Sequence, residues 1–260
     1  MPYVEIPGVR LWFTDTGGAG TPVVFLHAAS GATDSWLYQE PAFLQAGFRC
    51  VAYDRRNWGR SESSDPARAP SSASDDLEAF ADHLGLDRFH LVATAAGGIV
   101  GLDYALEFPE RVISLVVSSS FTGVQDQSYL DVQNRLRPAE ISNLPIVLRE
   151  VGPSYRAINP EGTARWLQIE ESSRHQIRPE EAQSPRSPMT YARLATMKTP
   201  VLMLAGEADL LSPPAMMRLV ADHIPGCRFG TIPEAGHAAF WEQPDIWNGL
   251  VLEFIGVHGK

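Results

Sequence analysis

Short apolar runs and amphipathic stretches alternate along most of the chain. "VRLWFTD" (residues 9–15) alternates and then turns at a Gly-Gly pair, which predicts an early strand. "PVVFLHA" (22–28) is a β-branched, apolar run of the kind found in strands buried on both faces, and "FRCVAYD" (48–54) is another. "SDDLEAFADHLGLD" opens at Ser74, a good helix-capping residue. It places Leu77, Phe80, Ala81 and Leu84 on one face and stops at Gly85, so it predicts an amphipathic helix. "FHLVAT" (89–94) predicts a strand, and "GIVGLDYALEF" predicts a helix that Pro109 ends. "VISLVVSSS" (112–120) is a further strand. After Pro200 come a strand in "PVLMLAG", a helix in "PAMMRLVADHI" and a short strand in "CRFGTI". A closing helix in "DIWNGLVLEFIGV" has Ile246, Leu250, Phe254 and Val257 on one side.

Strands that alternate with helices predict an α/β fold, with a mostly parallel sheet flanked by helices. One segment breaks the rhythm. Residues 121–197 contain no good strand but several helical patches, "QSYLDVQNRL", "ISNLPIVLREV" and "PEGTARWLQIEESSRHQ", separated by Pro and Gly. We expect a helical lid or cap over 121–197, inserted into a core made of 1–120 and 198–260. "SESSDPARAPSSAS" (61–74) reads as a polar surface loop.

Composition narrows the partners. A length of 260 residues allows one large domain with an insertion. Hydrophobic content of 44% and charged content of 20% are ordinary for a soluble globular chain. A net charge of −10 argues against nucleic acid, whose backbone wants a basic face. The densest basic cluster, Arg55, Arg56 and Arg60, lies beside Asp54 and Glu62. We see no basic-then-apolar leader and no apolar run near the ~18 residues of a membrane span. The expectation is a cytoplasmic protein with a small-molecule substrate, no nucleic-acid or membrane partner, and a monomeric or homodimeric state. Cys50 and Cys227 are far apart and read as free thiols. With no CxxC and no His/Cys cluster, a metal site is not expected.

Parallel sheets present their functional groups beyond the carboxyl ends of the strands. Four such ends carry distinctive residues: "FLHAASGATDSW", "ATAAGG", "AGEADLLSPP" and "PEAGHAAFWEQP". The order is a small-residue turn, then an acid, then a histidine. Over nearly its full length the chain resembles an α/β-hydrolase of the serine-hydrolase type. That resemblance implies an eight-stranded-type sheet, a helical lid inserted after the sixth strand, and no cofactor. "VATAAGGIVG" is similar to the G-x-S-x-G elbow, with Ala93 at its first Gly, Ala95 at the nucleophile and Gly97 at its last Gly. "GEADLLSP" resembles the acid loop, with Asp209 as the acid, and "AGHAAFWEQP" resembles the histidine loop, with His237 as the base. "HAASGATDSW" looks like the oxyanion loop, with Ala28 at the usual Gly. "DRRNWGRSE" looks like the D-x-R-G-x-G-x-S loop, with Asn57 at its first Gly.

The departures differ in weight. Ala93 and Ala28 keep the small size a crowded turn demands, and Asn accepts a left-handed φ. Ala95 is another matter, because the mechanism needs a hydroxyl or thiol there. We read it as alanine in place of a serine. That change removes the attacking group and keeps the pocket. Two alternatives stand: a lyase or cofactor-free oxygenase that uses the His237–Asp209 base without a nucleophile, or a catalytically dead ligand-binding protein. The resemblance implies the backbone amides of Ala29 and Ala96 as oxyanion donors. Ser30, Phe121, Tyr155, Arg156 and Leu211 are the expected substrate contacts, with Arg156 poised to hold a carboxylate or enolate. Phe240 and Trp241 could wall the pocket, although core packing explains Trp241 equally well, and Trp166 reads as lid packing. The implied substrate is a small ester, lactone or related carbonyl compound, with C–C cleavage of a dienoic acid as a variant.

Overall fold

Burial on both faces, with a period of two, builds the central sheet. In the strand Pro22–Leu26, Val23 and Phe25 enter one apolar cluster, while Val24 and Leu26 enter the other. In Phe89–Thr94, Leu91 and Ala93 join the cluster of Val24 and Leu26, and Val92 joins that of Val23 and Phe25. Each such side chain taken from water contributes about 1.5–3 kcal/mol before entropy is counted.

The computed structural model describes residues 3–63, 72–173 and 183–259. Its strands are β1 (Tyr3–Ile6), β2 (Val9–Asp15), β3 (Pro22–Leu26), β4 (Arg49–Tyr53), β5 (Glu62–Ser63), β6 (Phe89–Thr94), β7 (Val112–Ser118), β8 (Val201–Gly206) and β9 (Arg228–Ile232). Eight of them lie in the order β1-β2-β4-β3-β6-β7-β8-β9, and the two-residue β5 pairs with β2 off this path. Pairings within β1-β2-β4 are antiparallel; from β4 to β9 they are parallel. The helices are α1 (Gln39–Gln45), α2 (Ala73–His83), α3 (Ala96–Glu107), α4 (Gln127–Leu136), α5 (Ile146–Glu150), α6 (Pro153–Ile158), α7 (Pro160–Ser173), α8 (Tyr191–Leu194), α9 (Pro214–Ala221), α10 (Ala239–Glu242) and α11 (Pro244–Gly256). Buried residues of α2, α3 and α9 cover one face of the sheet, and those of α1 and α11 the other. Helices α4 to α8 all lie between β7 and β8, so the insertion follows the sixth strand of the eight-strand path. The expected fold class is therefore the observed one.

Three local expectations need correcting. The cap of α2 is Ser72, whose hydroxyl accepts from the Asp75 amide, while Ser74 is buried and donates to Asp103. A side chain that reaches inward to a neighbouring helix is not free to cap its own. The buried face of α11 is Trp247, Val251, Phe254 and Ile255; Ile246 and Val257 are exposed. The large Trp247 ring sets the helix rotation, and Leu250 packs only at the margin. Strand β1 was not anticipated; it forms by pairing with β2. Most of the polar loop 61–74, and the end of the patch that runs to residue 176, lie outside the described residues. Both cysteines are free thiols. Among the described residues no helix is long and apolar enough to cross a membrane.

Candidate active site

The sheet order reverses direction between β3 and β6, and the loops after these two strands meet there. The loop after β6 is a sharp turn. Ala95 sits at its apex with φ 48° and ψ −118°, a conformation that costs a non-glycine residue of order 1–3 kcal/mol. The neighbours enforce it. The Ala95 amide donates to the Ser118 carbonyl at 3.0 Å, and the Ser120 hydroxyl donates to the Ala95 carbonyl at 2.6 Å. A Cβ on Gly97 would stand 2.3 Å from the Leu26 carbonyl oxygen, so only glycine lets α3 start this close to β3. Ala96 opens α3, and its amide is among those a helix leaves unpaired at its N-terminus.

Asp209 and His237 come from the loops after β8 and β9. A Cβ on Gly206 would stand 2.1 Å from the Gly236 carbonyl oxygen, so the two loops touch at a point where no side chain fits. His237 Nδ1 lies 2.9 Å from Asp209 Oδ2 and 3.1 Å from Oδ1. An ionised carboxylate only accepts, so Nδ1 carries the proton and Nε2 is the free base. Asp209 also accepts from the amides of Leu211 and Ser212 and from the Ser212 hydroxyl. Both side chains are buried. Burial opposes both charges. For Asp209, the His237 charge and the hydrogen bonds outweigh burial and hold its carboxyl below the usual range. For His237, the charge and hydrogen bond of Asp209 outweigh burial, with Glu150 and Glu242 adding, and its imidazole stands above its ordinary value.

Ala95, His237, Ser30, Thr94, Glu150, Trp166 and Phe240 line one cavity, together with Ala28, Gly31, Ser35 and Ala238. Its free volume is about 10 Å³, space for about one water molecule. The insertion closes the site. The Ala238 amide donates to the Glu150 carbonyl, and the Glu242 carboxylate accepts from the amides of both Gly152 and Gly236. Glu242 thus ties the start of α6 to the histidine loop. Burial pushes its carboxyl up to about 7, against the two amide bonds.

The expected contacts divide. Ser30 lines the cavity, and the Phe121 ring stacks beside the His237 imidazole at 5.7 Å between centroids. Leu211 is buried and serves through its amide, which holds Asp209. Tyr155 and Arg156 do not line this cavity. Tyr155 is on the buried face of α6, packed in an apolar cluster that includes Trp166 and Trp241, and accepts from the Asn159 amide group. One step round the helix, Arg156 is half-buried with Nη1 unpartnered. Trp166, read as packing, does line the cavity. Ala29 and Ala96 are among the lining of a second cavity, while their chain neighbours Ala28 and Ala95 line the one beside His237. Trp58 Nε1 donates to the Ala29 carbonyl and fixes that loop. Asn57 has φ 69°, as its place in the loop demands.

Glu150 is the residue the sequence did not reveal. It ends α5, and its Oε2 accepts from the Ser30 hydroxyl at 2.5 Å. Burial raises its carboxyl above the usual range, although the His237 charge, the Ser30 bond and Arg149 all oppose the shift. Among the described residues no His/Cys/Asp/Glu group could hold a metal ion.

Fold and site define a protein whose buried acid–histidine pair faces a strained turn at the carboxyl ends of a parallel sheet. The chain belongs to the alpha/beta hydrolase fold family, whose pattern matches residues 21–244. It is 27% identical to BpoC of Mycobacterium tuberculosis, which carries a provisional name as a non-heme bromoperoxidase, over 93% of this chain and 96% of that one. It is 26% identical to a 2-hydroxy-6-oxononadienedioate/2-hydroxy-6-oxononatrienedioate hydrolase of Paraburkholderia phymatum, over 95% and 91%. The solved structure of a thermophilic esterase from Thermogutta terrifontis superposes with a TM-score of 0.81 at 24% identity, over 100% of this chain and 98% of that one.

Proposed function

We propose that this is the site of a hydrolase of small esters, lactones or related carbonyl compounds, in a form whose nucleophile is absent because Ala95 occupies the serine's place. One observation carries the reading. Ala95 keeps a backbone conformation that an alanine gains nothing from, directly beside an intact, buried His237–Asp209 pair. In the active form a serine at position 95 attacks the carbonyl carbon. His237 Nε2 takes the hydroxyl proton and returns it to the leaving group. Asp209 holds the imidazole, and the amides of Ala29 and Ala96 receive the oxyanion. The insertion acts as a lid that opens to admit substrate, since the closed site has space for about one water. Kinship with the dienedioate hydrolase keeps C–C cleavage within the class.

The test is to make Ala95→Ser and assay p-nitrophenyl esters and lactones. Turnover by the variant and none by the parent chain supports the reading; a folded variant inactive on every substrate overturns it. A second reading is favoured by Glu150. A buried carboxylate beside His237 could exchange protons with a substrate without a nucleophile, as a lyase would. Under that reading the Ala95 chain itself turns over a carbonyl substrate, and Glu150→Gln stops it.

A further inference from the structure

The cavity beside His237 is electrostatically one-sided. Among the described residues that line it, Glu150 is the one carboxylate, and none is Lys or Arg. Glu150 reaches it from the C-terminal end of α5 and is pinned there twice. Its Oε2 accepts from the Ser30 hydroxyl at 2.5 Å, and its carbonyl accepts from the Ala238 amide at 2.9 Å, next to His237. Oε1 has no hydrogen-bond partner among the described residues and, unlike Oε1 of Glu242, is not fully enclosed. The neighbouring Arg149 forms no ion pair with it; that guanidinium turns to the Ser142 carbonyl at 3.5 Å.

His237 offsets this charge only while it is protonated, and a base must start neutral. In that state the cavity holds the negative field of Glu150. Asp209, on the far nitrogen of the imidazole, and Glu170 of α7 add to it. A carboxylate with an unfilled oxygen attracts a cation and repels an anion, and both effects are stronger in a site shielded from water than at a surface. We propose that Glu150 sets the charge class of the substrate: esters or lactones that carry a cationic group are favoured over neutral ones, and those that carry an anionic group are turned away. Arg156, the expected holder of a substrate carboxylate, does not line the cavity. The inference rests on the hydrolase reading, in which Glu150 moves no proton and acts through its charge.

Three thioacetates of similar length serve as probes: acetylthiocholine, S-(3,3-dimethylbutyl) thioacetate and S-acetyl-3-mercaptopropane-1-sulfonate. The first is a fixed cation, the second neutral and the third a fixed anion. Thiol release by Ala95→Ser is compared with that by Ala95→Ser/Glu150→Gln, as ratios of kcat/KM, in about 0.15 M salt to screen the rest of the acidic chain. Glutamine keeps an oxygen for the Ser30 hydroxyl and removes the charge. With Glu150 in place, kcat/KM is expected to fall in the order cation, neutral, anion. Glu150→Gln is expected to lower the cation-to-neutral ratio and raise the anion-to-neutral ratio, each by about tenfold or more. A packing defect moves all three rates together, so opposite movement of the two ratios marks a charge effect. Glu253→Gln, which removes an exposed carboxylate of α11, is expected to leave both ratios unchanged. The proposal is overturned if folded Glu150→Gln keeps both ratios, or if the anion is turned over as well as the neutral probe. If Ala95→Ser releases thiol from none of them, the hydrolase reading fails instead. Calorimetric titration of the three probes into the parent chain then decides this inference. Binding in the order cation, neutral, anion supports it; equal binding or none overturns it, even where Glu150→Gln does not fold.

Discussion

At the scale of single residues, the site is a set of constraints around the Ala95 turn. The turn at Ala95 is held by Ser118, Ser120 and Gly97, and a serine has the same backbone needs as the alanine it would replace. The partners follow the same logic. In an Ala95→Ser background, Asp209→Asn is expected to lower kcat by about 10³–10⁴-fold, because the wrong nitrogen of His237 is then favoured for the proton. Steady-state kinetics on the double variant checks this. His237 must be neutral to act as base, and its imidazole is held above 6.5 by Asp209 against burial. The acid limb of the kcat/KM profile of Ala95→Ser is therefore expected to have its midpoint above 6.5. Ala95, Asp209 and His237 were legible in the sequence because small residues, an acid and a histidine recur at successive strand ends. Glu150 was not: its meaning lies in burial against Ser30, contributed by a short helix with no motif. Tyr155 and Arg156 are absent from the lining of the His237 cavity, and the Gly152-Pro153 signal, read as a loop, opens helix α6.

Single elements carry the geometry that the residues need. Helix α3 begins against β3 with only glycine between them, so Gly97→Ala forces a backbone clash at Leu26. We expect a loss of about 1–3 kcal/mol in chemical denaturation. In the Ala95→Ser background, activity should fall more than stability does, as the turn and the Ala96 amide shift together. The strands were legible for the reason the two apolar clusters show: residues alternate between them, and both are buried. The rotation of α11 was not. Several apolar positions on that helix compete, and contact with the sheet, absent from a linear pattern, lets Trp247 win.

For the molecule as a whole, the question is how a helical insertion stays closed on a parallel-sheet core. Glu242 bridges the two with one buried carboxylate oxygen, while its Oε1 has no partner. Its carboxyl rises from 4.5 to about 7 on folding, so the neutral form is favoured in the native state. The stability this contributes is full below 4.5 and is lost as pH rises through about 7. Glu242→Gln keeps an oxygen for the two amides and never ionises. Unfolding free energies from denaturant titrations above pH 7 should then exceed those of the parent chain, by up to ~3 kcal/mol, with little difference below 4.5. The order of elements and the position of the insertion were readable from the alternation of patterns. The tightness of closure was not, because it depends on which lid residues meet which core loops.

The account's central claim is that position 95 is a nucleophile's seat and that the rest of the machinery waits around it. Intact-mass analysis of Ala95→Ser protein treated with a fluorophosphonate tests it most directly. The account predicts one adduct, on the introduced serine, lost when His237→Ala is added and absent from the parent chain. A folded Ala95→Ser protein that takes up no label would contradict it.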